Sequence, residues 1–480
     1  MGFKVAIEIS YDRSKFITRA EFEELKDVFN EYFTNISPKL AQTIEHDSDS
    51  NFGDFITKRE PANTNRNSSN SGSYIKNVYK DLDDRCLKVI WSDDTASRFS
   101  YNFLRDNCKC PECFESSSKQ KLFNTARDLM ISIQIEEAGI SEDGRYLKCN
   151  WPGGHESSYS LNWLQNMRTP EENELRQRNS DSLVKDELIL WNREMMQDQI
   201  LFHDYNVLMS EDKSLFDLLY CLYQYGIVVI DNAPTRNGVL LELAARIGYH
   251  KRTHYGEDFD VKDIENPSNL AYTNHGLPLH IDLPFLKYPP HIQLLHCIHE
   301  NTLGGDNIFV DGFNVAKQIH ENHPDAFDVL KSFHVRFVDF GTDAYGEFAL
   351  GCSHPIINLN KHGRINGVLY NASVESESKG DCTPDELVAF YDASCILSKG
   401  LHDPNNVIDI HLKSGQIAMF HNIRILHGRT AFESTARERQ ARWLQGIYFD
   451  WDVVFSKLRV LQKNLGLKTP YLPEQSDDFF

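Results

Sequence analysis

A His-x-Asp pair and a distant histidine constrain this chain more than any other feature of its sequence. His280 and Asp282 are separated by one residue, and His427 follows far along the chain. Residues i and i+2 of a β-strand point to the same face, so an extended segment lets His280 and Asp282 hold one ion. The third ligand then has to come from a distant strand. Two histidines and one carboxylate form the set that holds non-heme Fe(II) with open coordination positions. The alternative to iron binding is that these histidines have structural positions in a turn or in the core.

Arg442 supports the iron hypothesis from a position shortly after His427. If residues 441–448 form a strand, Arg442 and Tyr448 share one face. A guanidinium beside the iron can bind a carboxylate through two hydrogen bonds. The distal carboxylate of 2-oxoglutarate requires such a partner while its keto-acid end chelates iron. A surface arginine in a salt bridge is the alternative.

Three clustered cysteines predict a second metal site. Cys108, Cys110 and Cys113 are followed by His155 in a Trp-Pro-Gly-Gly-His run. A Cys₃His set is closed and tetrahedral, so it is typical of structural rather than catalytic zinc. Such a site would stabilise a small domain with a limited core. Free thiols or a redox pair are the alternatives.

Charge and cysteine content exclude some classes of function. The formal net charge of −20 argues against nucleic acid as a partner, because phosphate binding needs a basic face. Ten cysteines without a secretory signal indicate thiols or metal ligands in a reducing compartment. No apolar run approaches the roughly 18 residues that a membrane span needs. We therefore expect a cytoplasmic protein that binds no membrane.

Composition divides the chain into four segments. Residues 1–77 form an extension, in which the Asn- and Ser-rich segment 46–73 cannot bury enough apolar area to become ordered. Residues 78–165 contain short strands and the clustered cysteines, which predicts a small β-rich zinc-binding domain. Residues 166–200 are polar and predict a linker or a surface helix. Residues 201–480 form the candidate catalytic domain.

Hydrophobic periodicity predicts a mainly β fold with α insertions, an antiparallel jelly roll, in residues 201–480. The predicted strands of the chain are 87–91, 146–151, 226–230, 291–298, 306–311, 333–340, 407–412 and 416–421. The predicted helices are 20–33, 214–225, 238–247, 314–331, 383–399 and 451–465.

Several short runs, in order along the chain, resemble one known enzyme family. They are Leu104–Cys108, Trp151-Pro152, Leu270–Thr273, Pro289–Cys297, Gly304–Asp306, Val310–Phe313 and Leu426–Arg429. These runs resemble the γ-butyrobetaine dioxygenase and trimethyllysine dioxygenase family, and the first of its two members more. The resemblance implies a small zinc domain followed by a double-stranded β-helix that hydroxylates γ-butyrobetaine to L-carnitine. It also implies Fe(II), 2-oxoglutarate and dioxygen, ascorbate as the reductant, and a homodimer.

The resemblance implies roles for individual residues in binding metal and cosubstrate. Iron would be bound by His280, Asp282 and His427, and zinc by Cys108, Cys110, Cys113 and His155. Arg442 would bind the distal carboxylate of 2-oxoglutarate, with Asn307 nearby.

The resemblance also implies how the substrate is held. A trimethylammonium group is recognised by aromatic faces, which would be those of Tyr255, Phe259, Tyr272 and Tyr448. The alternative is that these aromatic side chains belong to the core. Asn269 would bind the substrate carboxylate.

Two residues depart from the family pattern. Phe259 stands where relatives usually carry tryptophan, and Tyr370 stands where an asparagine helps to hold the substrate carboxylate. Either the Tyr370 hydroxyl takes over this role or the substrate is another trimethylammonium or betaine-like compound, trimethyllysine included.

Two other classes of function stay open. A non-catalytic scaffold would bind 2-oxoglutarate without turnover, and the complete triad with Arg442 argues against it. A zinc hydrolase would use a cluster of histidines, but no His-Glu-x-x-His motif is present and the strand-like surroundings scatter these residues over both faces. The histidines in question are His275, His280, His291, His296 and His299.

Overall fold

The computed structural model describes residues 74–81, 84–167, 183–184, 187–197, 202–262, 270–300, 304–432 and 442–467. The chain divides after Thr169 into two units. The predicted helix 20–33, the Asn- and Ser-rich segment 46–73 and Asn269 lie outside the described residues. None of the described helices combines the length and apolar character that crossing a bilayer requires.

The first unit is built from short antiparallel strands. Its strands are β1 (Ile75–Asp81), β2 (Cys86–Trp91), β3 (Ala96–Ser100), β4 (Phe114–Glu115), β5 (Gln120–Lys121), β6 (Glu137–Ile140), β7 (Tyr146–Trp151) and β8 (His155–Ser160), and its helices are α1 (Tyr101–Asp106), α2 (Thr125–Asp128) and α3 (Leu161–Asn166). β1 to β3 form one sheet, β6 to β8 a second, and β4 pairs with β5. Trp91 and Trp151 are buried in the core of this unit. Each indole N–H donates to a serine hydroxyl at 2.9 Å, so neither buried donor is left unsatisfied.

The second unit consists of two main β-sheets with helical insertions. Its strands are β9 (Phe202–Asp204), β10 (Ile227–Asp231), β11 (Phe259–Lys262), β12 (Leu277–His280), β13 (Ile292–His299), β14 (Asn307–Asp311), β15 (His334–Asp343), β16 (Gly346–Pro355), β17 (Ile357–Leu359), β18 (Ile365–Val368), β19 (Val407–Ile410), β20 (Ile417–His421), β21 (Ile425–Arg429) and β22 (Trp443–Phe449). Its helices are α4 (Arg193–Gln197), α5 (Tyr205–Ser210), α6 (Asp212–Tyr225), α7 (Val239–Ile247), α8 (Gly312–Asn322), α9 (Pro324–Ser332), α10 (Pro384–Leu401) and α11 (Trp451–Asn464), with single 3₁₀ turns at Leu270–Tyr272 and Ala372–Val374.

The two sheets form a jelly roll, as the strand pattern predicted. The larger sheet has the order β11-β22-β13-β20-β10-β9 and is antiparallel apart from the β9–β10 pair, and the smaller sheet has the order β12-β21-β14-β19. Leu295 and Phe420 from the larger sheet pack with Phe309 and Ile425 from the smaller one. Helices α6, α7 and α11 cover the outer face of the larger sheet. Strand β13 is therefore buried on both faces, which explains why apolar residues occur on both of them.

The helical insertion between β14 and β15 differs from its prediction. Residues 314–331 were predicted as one helix, but the structure has two, α8 and α9, which meet at His323-Pro324. Proline lacks the N–H that continues a helix and disfavours the helical conformation of the residue before it. His323 accordingly has a φ of −142°, and Pro324 opens α9. The single-helix prediction was wrong because it followed the apolar periodicity through this proline.

Part of the segment predicted as a linker is built into the second unit. Trp191 is buried in the core between the two sheets. Its indole N–H donates to the carbonyl of Tyr225 at 2.8 Å, and its backbone N–H donates to Asp311 Oδ2 at 3.2 Å. These contacts fix the segment 187–197 against the end of α6 and the end of β14.

Candidate active site

The smaller sheet brings the three predicted iron ligands together. Strands β12 and β21 pair with His280 directly opposite His427, and Asp282 follows just beyond the end of β12. One ligand atom from each residue lies within 4.8 Å of the others. Asp282 Oδ1 is 3.3 Å from His280 Nε2 and 3.6 Å from His427 Nε2. Two imidazole nitrogens and a carboxylate oxygen at these separations can face one ion.

The hydrogen bonding of His280 and the burial of His427 favour metal binding. Nδ1 of His280 lies 2.8 Å from the carbonyl oxygen of Pro278. A carbonyl only accepts, so Nδ1 carries the proton and the lone pair of Nε2 is available to a metal. Burial, with a smaller contribution from His280, lowers the pKa of His427 to about 3, which keeps this imidazole neutral.

Asp282 is held in position by hydrogen bonds that could not be predicted from the sequence. Its backbone N–H donates to Asn422 Oδ1 at 2.8 Å, and the Asn422 amide donates to the carbonyl of Asp282 at 3.0 Å. The Tyr448 hydroxyl donates to Asp282 Oδ2 at 2.6 Å. The pKa of Asp282 stays below its usual range although burial acts to raise it, and the hydrogen bond from the Tyr448 hydroxyl acts in the lowering direction. The carboxylate is therefore ionised and oriented.

The backbone changes direction directly after Asp282. Leu283 has a φ of 59°, in the left-handed region that is costly for a residue with a side chain. Leu283 lines the same cavity as the three candidate ligands. The left-handed residue ends the extended segment at the point where the carboxylate must face the two histidines.

Arg442 and Asn307 line the cavity that contains the triad. Burial lowers the pKa of Arg442 to about 10, so the guanidinium is still charged at neutral pH. Gly305 has a φ of +77°, and a Cβ on it would lie 3.2 Å from Arg442 Nε. The absence of a side chain at Gly305 therefore leaves room for the guanidinium of Arg442. Asn307 is buried, and its amide donates a long hydrogen bond of 3.5 Å to the carbonyl of Ile410.

The four predicted cage residues Tyr255, Phe259, Tyr272 and Tyr448 line the same cavity. The rings of Phe259 and Tyr448 are stacked with centroids 5.0 Å apart, and Tyr255 lies 5.6 Å from Phe259. Phe259 lies opposite Gly446 in the β11–β22 pair, where a Cβ would come within 2.1 Å of the ring. The absence of a side chain at Gly446 therefore lets Phe259 lie flat against the sheet.

Tyr370 is not among the residues that line the cavity. Its ring packs against the apolar cluster beneath the helical insertion, and its backbone carbonyl accepts a hydrogen bond from Ile281 at 2.9 Å. The next residue, Asn371, does line the cavity and donates to the carbonyl of Ile281 at 3.2 Å. The structure therefore does not support the expected contact of the Tyr370 side chain with substrate, because the side chains of successive residues point in different directions.

Three further polar side chains in the cavity wall were missed at the level of sequence. Gln293 is buried on β13, and its side-chain oxygen has no hydrogen-bond partner among the described residues. Arg429 donates to the carbonyls of Ala271, Thr273 and His275 and so fixes the loop beside the triad. Asp339 is the third. Two of them could have been identified from the alternation of side chains along a strand. This alternation places Gln293 on the same face of β13 as Leu295, and Asp339 on the same face of β15 as Phe337.

The first unit contains the predicted cluster of three cysteines and one histidine. Nε2 of His155 lies 3.4, 3.8 and 3.6 Å from the sulfurs of Cys108, Cys110 and Cys113. A tetrahedral zinc ion with ordinary bond lengths separates such atoms by roughly 3.5 Å. Burial raises the pKa of Cys113 to about 11, against which the guanidinium of Arg105, 3.2 Å away, acts only in part. The geometry fits a closed site for one ion.

The described part of the chain has two metal-competent clusters, the His280–Asp282–His427 triad and the set of three cysteines with His155. Neither contains His275, His291, His296 or His299. His296 is fully buried, and its two ring nitrogens have no hydrogen-bond partner among the described residues. His291 Nδ1 lies 3.1 Å from Asp450. The arrangement of these histidines gives no support to the zinc-hydrolase alternative.

Comparison with known proteins covers both units. Residues 197–448 match the family described as taurine catabolism dioxygenase TauD, TfdA family, and residues 79–165 match the family described as gamma-butyrobetaine hydroxylase-like, N-terminal. The gamma-butyrobetaine dioxygenases of Pongo abelii and Homo sapiens are each 32% identical over 382 and 380 residues, which cover 79% of this chain and 95% of each relative. A trimethyllysine dioxygenase of Meyerozyma guilliermondii is 27% identical over 400 residues, 82% of this chain and 96% of the relative.

Proposed function

This chain belongs to the γ-butyrobetaine dioxygenase family of Fe(II)- and 2-oxoglutarate-dependent dioxygenases, and from this premise we propose that its reaction is the hydroxylation of γ-butyrobetaine to L-carnitine. The observation that carries the proposal is the convergence of three kinds of side chain in one cavity. The first is a set of two histidines and one carboxylate, the second a buried arginine, and the third a group of aromatic rings. Each kind matches one reactant of the proposed reaction.

Fe(II) and 2-oxoglutarate fit the residues of this cavity. His280, Asp282 and His427 would hold the iron, because their ligand atoms lie within 4.8 Å of one another and the carboxylate is ionised. Arg442 would bind the distal carboxylate of 2-oxoglutarate. When bound, the two cofactors supply dioxygen activation, in which 2-oxoglutarate leaves as succinate and CO₂ and one oxygen atom enters a C–H bond.

The protein contributes the positioning of these reactants. The Tyr448 hydroxyl and Asn422 hold Asp282 in one orientation, so the carboxylate does not have to reorganise on metal binding. The stacked rings of Phe259 and Tyr448 offer their faces to a trimethylammonium group, which has no N–H to donate. A substrate held by these faces would present its chain to the iron.

Parallel assays with γ-butyrobetaine and trimethyllysine test the choice of substrate. The protein would be incubated with Fe(II), ascorbate and 2-oxoglutarate, and both succinate and hydroxylated product would be quantified by mass spectrometry. We expect a product-to-succinate ratio close to unity with γ-butyrobetaine and a higher kcat/KM than with trimethyllysine. Succinate without hydroxylated γ-butyrobetaine would reject the substrate while leaving the dioxygenase chemistry intact.

The substitution Tyr448→Phe tests the hydrogen bond to Asp282. It removes the hydroxyl but keeps the ring, so we expect iron affinity to fall by about ten- to a hundredfold while the KM for substrate stays nearly constant. Fe(II) titration under anaerobic conditions would measure the affinity. Tyr391→Phe, at an exposed tyrosine of α10, is the matched control. Unchanged iron affinity in Tyr448→Phe would contradict the proposed role.

We also propose that Cys108, Cys110, Cys113 and His155 hold a structural zinc ion. The proposal is supported by the separations of 3.4 to 3.8 Å between the His155 nitrogen and the three sulfurs. Cys113→Ser should remove the metal and lower the stability of the first unit by several kcal/mol, because the binding free energy of such a site contributes to folding. Zinc content per chain and a urea unfolding curve measure both effects.

Cys86→Ser is the control for this experiment, because Cys86 lies in the same unit outside the cluster. A Cys113→Ser protein that keeps its full zinc content would contradict the assignment. The expectations of ascorbate as reductant and of a homodimer stay predictions from the family resemblance. The expectation of a cytoplasmic location stays a prediction from the cysteine content and the absence of a secretory signal in the sequence.

A further inference from the structure

Asp339 places a carboxyl group in the wall of the candidate cavity. It lies on β15, whose residues Val335 and Phe337 are buried in the core. The two-residue period of a strand puts Asp339 on the same side as these two residues. The cavity wall around it includes Tyr255 and Tyr272, two members of the proposed aromatic cage.

The Asp339 carboxylate has no cationic partner within the described residues. Its Oδ1 accepts a hydrogen bond from the backbone N–H of Phe340 at 3.0 Å. No lysine, arginine or histidine nitrogen of the described residues lies within 4.0 Å of it. Partial burial makes the ionised form of such a group costly unless an opposite charge is supplied. Burial accordingly raises the pKa of Asp339, and a cationic ligand would reverse this effect.

The other charged side chains of the cavity have partners or proposed roles. Asp282 faces the two histidines, and Arg442 is assigned to 2-oxoglutarate. Arg429 donates to three backbone carbonyls of the neighbouring loop. Burial, with smaller contributions from nearby carboxylates that include Asp339, raises the pKa of Tyr255, so this hydroxyl is neutral. Among the charged side chains of the described cavity wall, Asp339 therefore remains available to pair with a charged group of the substrate.

We propose that Asp339 supplies the negative charge that pairs with the quaternary ammonium of the substrate and makes the pocket select a cation over an uncharged group of the same shape. The inference rests on the proposed function in that it assumes a trimethylammonium substrate. Aromatic faces attract a cation but also accept a tert-butyl group through dispersion, so they discriminate weakly between the two. A carboxylate attracts the cation alone, and its attraction needs no N–H and no fixed direction.

The test compares γ-butyrobetaine with its isostere in which a neutral tert-butyl group replaces the trimethylammonium group and the carboxylate is kept. Binding of each to the holoprotein with Fe(II) and 2-oxoglutarate would be measured by anaerobic calorimetry. Asp339→Asn, which keeps the shape, should weaken binding of γ-butyrobetaine by about tenfold and that of the isostere by less than about twofold. Asp339→Glu should retain the preference for the cation, and Glu347→Gln, at an exposed position of β16, should change neither ligand.

Equal weakening of both ligands in Asp339→Asn, or no weakening of either, would overturn the inference. So would an unmodified protein that binds the isostere as tightly as γ-butyrobetaine. The proposed function fails separately, if the unmodified protein forms no L-carnitine. A cation preference that Asp339→Asn abolishes would in that case still support the role of Asp339 with another quaternary ammonium as substrate.

Discussion

His280→Ala is expected to reduce the formation of succinate and of hydroxylated product by more than about a thousandfold. The variant keeps one nitrogen and one carboxylate ligand, and two ligands no longer fix the ion or the open positions around it. His280 is partly exposed, and its Nδ1 makes one hydrogen bond to the Pro278 carbonyl, so the unfolding free energy should change by less than about 2 kcal/mol. Coupled measurements of succinate and product give the activity, and a thermal unfolding curve gives the stability.

A second readout separates loss of iron from loss of fold. Fe(II) binding stabilises the unmodified protein against unfolding by mass action, and His280→Ala should lose this stabilisation. His299→Ala is the matched control, since His299 is an exposed histidine of β13 outside both metal-competent clusters. Turnover by His280→Ala within about tenfold of the unmodified rate would mean that the triad does not hold the catalytic metal.

Asp311→Ala is expected to destabilise the second unit by about 3 to 5 kcal/mol. Asp311 and Arg424 form an ion pair with both side chains at 0% exposure. The two carboxylate oxygens accept hydrogen bonds from Arg424 Nε at 3.1 Å and Nη2 at 2.8 Å. They also accept from the backbone N–H of Trp191 and from the first turn of α8. Removing the carboxylate leaves a buried guanidinium without its counter-charge and uncaps a helix.

Urea unfolding followed by tryptophan fluorescence measures this loss, because Trp191 and Trp451 are both buried in the second unit. Asp409→Ala is the matched control. Its ion pair with Arg193 has side chains 48% and 41% exposed, so its removal should cost less than about 1 kcal/mol. Equal effects of the two substitutions would show that the buried pair is not a stability determinant of this fold.

The proximity of His280, Asp282 and His427, the candidate iron ligands, could be predicted from the sequence because their geometry is local to two strands. The His-x-Asp spacing follows from the two-residue period of an extended chain. His427 is distant in sequence, so it can join the pair only from a neighbouring strand, which is β21. The jelly roll followed from runs such as 291–298, where apolar residues on both faces indicate a strand that is buried on both sides. The cluster of three cysteines and His155 could be predicted for a similar reason, since three of its four members lie on one short loop.

Contacts between segments that are distant in sequence could not be predicted in this way. The bonds of Asp282 with Tyr448 and Asn422 join residues more than a hundred positions apart, and no spacing rule relates them. The position of Tyr370 outside the cavity depends on how its segment leaves β18. Strand β16 was missed because its residues are half-exposed along most of its length, which removes the apolar alternation. The division of the predicted helix 314–331 at Pro324, in contrast, could have been predicted from the proline in the sequence.

Isotopically labelled dioxygen, supplied together with γ-butyrobetaine, Fe(II), ascorbate and 2-oxoglutarate, gives the most direct test of the proposed hydroxylation. The products would be separated and identified by mass spectrometry against authentic L-carnitine. We expect a product indistinguishable from L-carnitine with one labelled oxygen atom, formed together with succinate that carries the other. Hydroxylated product without label in succinate, or labelled succinate without L-carnitine, would contradict it.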